Sequence, residues 1–463
     1  MPTVFAGVLA TTDGWGASLD VRTVELVNWI LWACFLFALG ASMGSFVNVI
    51  ACRLPRGGSI VSPPSRCPCC GGMLSWRENL PVLGWLLLRG RCKRCKTPIS
   101  PQYLLIELLL GLLFVGVLLT LYLPAADSWW TLGSDNWWRD RQFSGSWPGF
   151  LVVLTLLSML VPITLIDAKT YLIPLSLTLV VAGAAAVLWP LRTTLTLGFR
   201  VPLTSPPTPL PVPSGTAAAA AFGGLAGVLV LTVLLRRGWW KASFADYDQF
   251  VREGETLGDY PHARREALRE IVHLVPIAAG LAIGAVIGAR VWGGAAPPDW
   301  VEALAAVSIG YLVGGGMVWI TRILGTLAVG REAMGLGDVH LLAAIGAALG
   351  WHDAVTVFVV APFSGIATAA VLGLAGWGWF GAGARALGGK AREIPYGPHL
   401  AVAAVAVVFL RPVVVEVRDI VLPPVPVRFT ERAAAVSMPR EIGTEPGISF
   451  DGPAHEGAGM AAS

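Results

Sequence analysis

The sequence predicts an all-α polytopic membrane protein with about 8–10 transmembrane helices and a small cysteine-rich loop domain on one side. Three observations carry that expectation. The chain is 55% hydrophobic and only 13% charged, with a mean hydropathy of +0.67, whereas soluble domains carry about 25% charged residues. Ten apolar stretches approach the ~20 residues a helix needs to cross a bilayer. Nineteen tryptophans suit a chain with long water–lipid boundaries, where Trp collects. A net charge of +4 is too small to argue for nucleic acid, so the lipid bilayer is the partner that composition implies.

In chain order the apolar stretches cover 25–51, 103–123, 149–166, 171–192, 215–235, 272–293, 302–325, 339–350, 354–380 and 398–415. The 339–350 run is short and reads as a half-helix. Residues 1–24 read as an external N-terminal segment without the basic start of a cleavable signal. Residues 25–123 read as a membrane hairpin around the 52–101 loop, and 149–415 as a second membrane domain with an insertion at about 193–271. Within that insertion, 201–214 is a Pro-rich connector and 255–271 reads as an amphipathic surface helix. Residues 416–463, rich in Pro, Gly, Ala and Glu, read as a disordered tail. No internal repeat is expected.

Loop charge orients the chain. The 52–101 loop carries nine Lys and Arg, from Arg53 to Lys96, against one acid, Glu78. The positive-inside rule makes it cytoplasmic. Alternating from there puts the Trp-rich 124–148 and Pro-rich 193–214 loops outside and the basic 236–271 loop inside, with Arg322 and Arg331 also on the inner side. Asp167 and Asp338 then fall on one side of the membrane, the cytoplasmic one. Trp129, Trp130, Trp137 and Trp138 read as interfacial anchors.

Six of the seven cysteines lie between Cys52 and Cys95. Cys67-Pro-Cys-Cys70 and Cys92-Lys-Arg-Cys95 form a doubled CxxC whose pairs are 21 residues apart. Each pair offers two thiolates from one turn, and two turns complete a closed structural zinc site. A small hairpin in the interval would accommodate the spacing. Disulfides are the alternative, and a reducing cytoplasm opposes them. The loop is thus expected to be a zinc-knuckle domain with Cys67, Cys70, Cys92 and Cys95 as ligands. Cys69 is surplus, and Cys34 and Cys52 read as core thiols.

Two aspartates stand at the ends of apolar runs. Asp167 follows Leu151–Ile166 and precedes Ile173-Pro174; Asp338 closes Gly335-Leu-Gly337-Asp338. A lone Asp in either place is ordinarily a helix cap. As a pair at a half-desolvated depth they cannot both ionise easily. One then serves as general base on a water, and the other, protonated, polarises a scissile carbonyl. No Ser/His/Asp pattern and no HExxH competes. Glu107, inside an apolar run, is costly unless it faces other helices. Asn48 and Arg53 stand where the first helix meets the cytoplasm.

These motifs name a family. The chain resembles the bacterial type IV prepilin leader peptidases, which are GxGD-type intramembrane aspartyl proteases. The resemblance is carried by Gly44–Pro55, Ser65–Cys70, Trp76–Trp85, Leu88–Ser100 and Glu107. It continues at Asp167 with Ile173-Pro174, at Arg331–Asp338 and at Ile394–Pro398. It implies a catalytic dyad of Asp167 and Asp338, supported by Gly335 and Gly337. That dyad would remove the basic leader of pilin and pseudopilin precursors, in type IV pili or type II secretion, at the cytoplasmic face of the inner membrane. It also implies N-methylation of the new N-terminus from S-adenosylmethionine, associated with the cysteine-loop region. Asn48, Arg53, Glu78 and Glu107 are candidates for binding the substrate or the methyl donor, and Glu332 for meeting the leader's basic residues. A peptidase without methylation and an inactive assembly scaffold are the other readings. His340 stands where the family often has Lys, and it could tune the dyad near neutral pH.

Overall fold

The computed structural model describes residues 21–122, 137–195, 214–246, 260–293, 295, 297–374, 395–410 and 413. Each of the ten apolar stretches forms a helix. They are α1 (Val21–Arg53), α3 (Pro101–Tyr122), α4 (Trp137–Thr170), α5 (Leu175–Leu195) and α6 (Gly215–Arg236). The series continues with α8 (Val275–Trp292), α9 (Asp299–Val329), α10 (Leu336–Leu349), α11 (Trp351–Leu374) and α12 (Tyr396–Phe409). Two shorter α-helices are also described: α2 (Leu83–Leu87) in the cysteine-rich loop and α7 (Ala263–His273), which leads into α8. No strand forms among the described residues; two isolated bridges do, both in the cysteine loop. Residues 1–20 and 416–463, expected to be an external segment and a tail, lie outside the described residues, as does the Pro-rich 201–213 stretch.

Seven described spans are long and apolar enough to cross a membrane: α1, α3, α4, α5, α6, the α7–α8 rod and α9. The 14 residues each of α10 and α12 rise only ~21 Å against a hydrocarbon core of ~30 Å. Both are nonetheless apolar all round, which marks a helix buried among others. Leu341 through Leu349 of α10 are all buried, enclosed by α5, α9, α11 and α12. Contact with α9 is very close. A Cβ on Gly310 or on Gly346 would strike the other's carbonyl oxygen, so only glycine lets the two backbones meet, as small residues do between membrane helices. At the far end of α10 the Trp189 indole donates to Ala348 O at 3.2 Å, satisfying a carbonyl left open by the helix terminus.

α4 departs from expectation at both ends. It begins at Trp137 rather than near 149 and runs through Pro148 and Pro162, which membrane helices tolerate because neighbours satisfy the freed backbone groups. It also continues past Ile166 to Thr170. Tyr171 then takes a left-handed conformation (φ 55°), its N–H donating to Asp167 O at 2.9 Å, a helix-ending αL turn. Asp167 is therefore in the last turn of α4, where a carboxylate cannot act as an N-cap. Trp138 corrects another expectation: it is buried against Tyr122, ring centroids 5.7 Å apart, and is no interfacial anchor. Trp129 and Trp130 lie outside the described residues. Cys34 and Cys52, expected in the core, are exposed on α1.

Candidate active site

Asp338 sits in the first turn of α10. Its Oδ2 accepts from Gly335 N–H at 3.3 Å, and its own N–H donates to Gly335 O at 3.2 Å. The carboxylate thus does cap its helix, as the simple reading of the motif allows. Asp167 is 5% exposed and Asp338 7%, and each lies within electrostatic reach of the other. Ile173, in the link between α4 and α5, is the spacer between their elements. A Cβ on Gly337 would lie 2.8 Å from Ile173 Cβ, and one on Gly397 would lie 3.1 Å from Ile173 Cδ1. The same Cβ on Gly397 would lie 2.5 Å from Asp167 Oδ2. Gly335 and Gly397 therefore wall the two carboxyls, because a side chain at either would crowd Asp338 Oδ2 or Asp167 Oδ2, while Gly337 makes room for Ile173. Asp167 Oδ2 has no hydrogen-bond partner among the described residues. Tyr396 lies within electrostatic reach of Asp338, its hydroxyl donating to Phe358 O at 3.4 Å.

His340 is half-buried on α10, and no hydrogen bond or ion pair joins it to either aspartate. Two residues along a helix turn the side chain by roughly 200°, so His340 points away from the face that carries Asp338. Glu332 is not free to meet a basic leader, since the Arg322 guanidinium holds its carboxylate. Arg322 itself was legible only as a loop charge. The signal that it is more was its place within an otherwise apolar run.

A second region gathers the remaining candidates. Asn48, Arg53, Glu78 and Glu107 all line one cavity of about 470 Å³ between α1, α3 and the cysteine loop. Asn48 Nδ2 donates to Gly44 O at 3.1 Å and to Tyr103 O at 3.4 Å, tying α1 to α3. Arg53 Nη1 donates to Ser59 O at 3.1 Å and Pro63 O at 2.8 Å, folding the loop back on α1. Glu107, buried in α3, accepts from Val82 N–H at 2.6 Å, so it faces protein, as its cost in lipid requires. Glu78 accepts from Ser75 N–H at 2.8 Å and stands 4.0 Å from Lys93. The Ser75 amide and hydroxyl, with the nearby cations Lys93 and Arg94, hold its carboxyl below the usual range.

The four sulfurs of Cys67, Cys70, Cys92 and Cys95 lie within 4.8 Å of one another, Cys67 and Cys95 at 3.7 Å. A tetrahedral ion ~2.3 Å from each sulfur needs S···S edges of roughly 3.8 Å, so the set fits a metal ion. Cys69 is exposed and outside it. Each pair occupies the turn of a miniature hairpin. Arg66 bridges Met73 and Arg91 bridges Pro98, while Cys67 N–H bonds Gly72 O at 3.0 Å and Cys92 N–H bonds Thr97 O at 2.9 Å. The two knuckles are one motif used twice, 25 residues apart (Cys67 to Cys92, Cys70 to Cys95), contrary to the expectation of no repeat. The interval holds turns and α2 rather than a hairpin. Cys95 Sγ lies 3.3 Å from the Thr97 hydroxyl, which with the Thr97 amide brings this thiol down to about 6.

A pair of buried carboxyls among apolar helices, together with a four-cysteine loop, defines a class of polytopic membrane protein, and the known proteins place it more closely. Residues 38–121 match the bacterial peptidase A24 N-terminal domain, and 269–370 match the type IV leader peptidase family. Asp338 lies inside the second match and Asp167 between the two. Relatives called prepilin leader peptidase/N-methyltransferase include one from Myxococcus xanthus (strain DK1622), 44% identical over 34% of this chain and 40% of the relative. One from Burkholderia pseudomallei (strain K96243) is 30% identical over 54% of this chain and 75% of the relative. One from Aeromonas hydrophila is 27% identical over 82% and 92%. No solved structure matches. The chain belongs to the type IV leader peptidase family.

Proposed function

We propose that this chain is a bifunctional membrane enzyme that removes the leader of prepilin-like substrates and then methylates the new N-terminus. The observation that carries the first activity is that Asp167 and Asp338, from α4 and α10, are both buried and within electrostatic reach of each other, with Gly397 against the first and Gly335 against the second. Two buried carboxyls within electrostatic reach of each other do not both ionise easily and so share a proton. The ionised one takes a proton from water as it attacks the scissile carbonyl, and the protonated one donates to the developing oxyanion. The names of the relatives support prepilins as substrates. Orientation follows from the nine cations of the 52–101 loop, which support a cytoplasmic loop and a cytoplasmic-facing dyad in the inner membrane.

Residues 25–123 form the methyl-transfer half of this reading and 149–415 the peptidase half, with the 193–271 segment inserted in it. Zinc is the ion proposed for Cys67, Cys70, Cys92 and Cys95, since four thiolates on two tight turns make its structural site. S-adenosylmethionine, when bound, supplies the methyl group. The cavity lined by Asn48, Arg53, Glu78 and Glu107 has the volume and mixed polar and apolar walls that a drug-sized zwitterion needs. Co-expression with a prepilin, scored by intact mass, tests the whole reading. The wild-type chain is expected to remove the leader and add one methyl group. Asp167→Asn and Asp338→Asn should each leave the leader in place, and unchanged processing in either variant would overturn the dyad.

A further inference from the structure

Arg322 interrupts the apolar surface of α9 and is 3% exposed. A buried cation persists only where acceptors surround it. Its Nε donates to both carboxylate oxygens of Glu270, at 3.0 and 3.2 Å. Its Nη1 reaches the Glu332 carboxylate and the Met334 carbonyl, and the guanidinium lies 5.0 Å from the Phe244 ring centroid. Glu270, on α7, is 1% exposed. It also accepts from the Ser243 hydroxyl and the Trp319 indole N–H, both at 2.9 Å. Met334 directly precedes Gly335, the N-cap of the helix that carries Asp338. Asp338 is in turn within electrostatic reach of Arg322.

We propose that Arg322 is the positioning residue for Asp338 and that Glu270 anchors it, which makes the surface helix α7 part of the catalytic scaffold. The proposal rests on the reading of Asp338 as one of the reacting carboxyls. The segment 330–335 between α9 and α10 is not helical, and its backbone is free to move unless something outside it holds it. One planar guanidinium grips it at a side chain, Glu332, and at a carbonyl, Met334 O. Such a fork fixes direction as well as distance, which an ammonium group does not. Glu270 spends both its oxygens on Arg322, so the orientation of the fork is set from α7, a helix 52 residues away in sequence. A displacement of about 1 Å at a reacting group costs about a hundredfold in rate, so a loosened grip shows first in turnover.

The test uses the full chain in proteoliposomes with a leader-bearing prepilin peptide, and reads steady-state cleavage together with amide hydrogen exchange. Glu270→Gln should lower kcat about tenfold or more while KM stays within about twofold, the split expected when geometry rather than substrate binding is lost. Amides of 332–338 should exchange faster and those of 341–349 should not. Arg264→Ala removes a bond from the same helix to Leu327 O and should change neither readout. Wild-type kcat in Glu270→Gln, or a fall in kcat with unchanged exchange at 332–338, overturns the proposal. If Glu270→Gln does not accumulate, Ser243→Ala/Trp319→Phe, which strips only the neutral donors from Glu270, is held to the same two outcomes. A wild-type chain that cleaves nothing would instead sink the dyad reading, and the exchange measurement would still decide whether Arg322 holds the loop.

Discussion

At the scale of single residues, the environment of Asp167 comes from two distant places in the chain. Its own helix ends in the αL turn at Tyr171, and Gly397 brings bare backbone against its carboxyl. Gly397→Ala would put a methyl group 2.5 Å from Oδ2, so the carboxyl must move. Cleavage should fall about a hundredfold while the chain still inserts, as a kinetic assay beside a folding assay would register. A second prediction concerns the metal loop. The folded value of Cys95, about 6, lies below the ordinary thiol value of 9.0. The thiolate's contribution is therefore complete above the ordinary value and is lost as pH falls through the folded one. Thr97→Val removes the hydroxyl that lowers it. The variant should hold metal at pH 8 and release it on acidification at a higher pH than the wild type, as metal content along a pH series would reveal.

Some residues were legible in advance because their chemistry is local. Gly335, Gly337 and Asp338 announce themselves in four positions, and the doubled CxxC does so in two short runs. Arg322 was not, because its partner Glu270 is remote in sequence and a lone cation near a loop also fits a topology marker. Cys34 and Trp138 were misjudged for a reason particular to membranes. Lipid-facing and core-facing positions are both apolar, so composition cannot tell which side of a helix a thiol or an indole occupies.

At the scale of elements, α10 is the part to which the others are fitted. It is too short to span the bilayer, is buried from Leu341 to Leu349, and meets α9 where Gly310 faces Gly346. Gly310→Val would drive two methyl groups into that contact, and overpacking of this kind costs about 1–3 kcal/mol. A lower unfolding midpoint in detergent should report it. The knuckles are a separate element with a separate stabiliser. Cys67→Ser should lose bound metal and expose the 66–98 loop to protease, leaving α9–α12 protected, since the contacts that bury α10 do not pass through the cysteine loop. The sequence pattern located ten of the apolar helices among the described residues, because each is continuous. It missed the true ends of α4, at one end because Pro148 looks like a break and is not, and at the other because Asp167-Ala-Lys-Thr170 is polar though helical.

At the scale of the whole molecule, the basic loop and both aspartates are expected on one face. Cys69, exposed and outside the metal cluster, offers a handle for that. In a variant with Cys34 and Cys52 changed to serine, an impermeant maleimide should label Cys69 only in inverted vesicles, and labelling from the periplasmic side would contradict the orientation. The cooperation of distant helices at the site was readable only through the resemblance at Ile394–Pro398, with which the approach of Gly397 to Asp167 agrees, because nothing local in α4 points to α12. That partnership has a bearing on synthesis. Both acidic residues leave the ribosome well before 396–409, the last described helix and the one whose backbone encloses Asp167. A polypeptide ending ahead of it lacks the Gly397 backbone that closes the space beside Asp167 Oδ2. On the proposed function, cleavage should therefore begin only once residues 396–409 have been made, and a truncation ending before Tyr396 that still cleaved would contradict it.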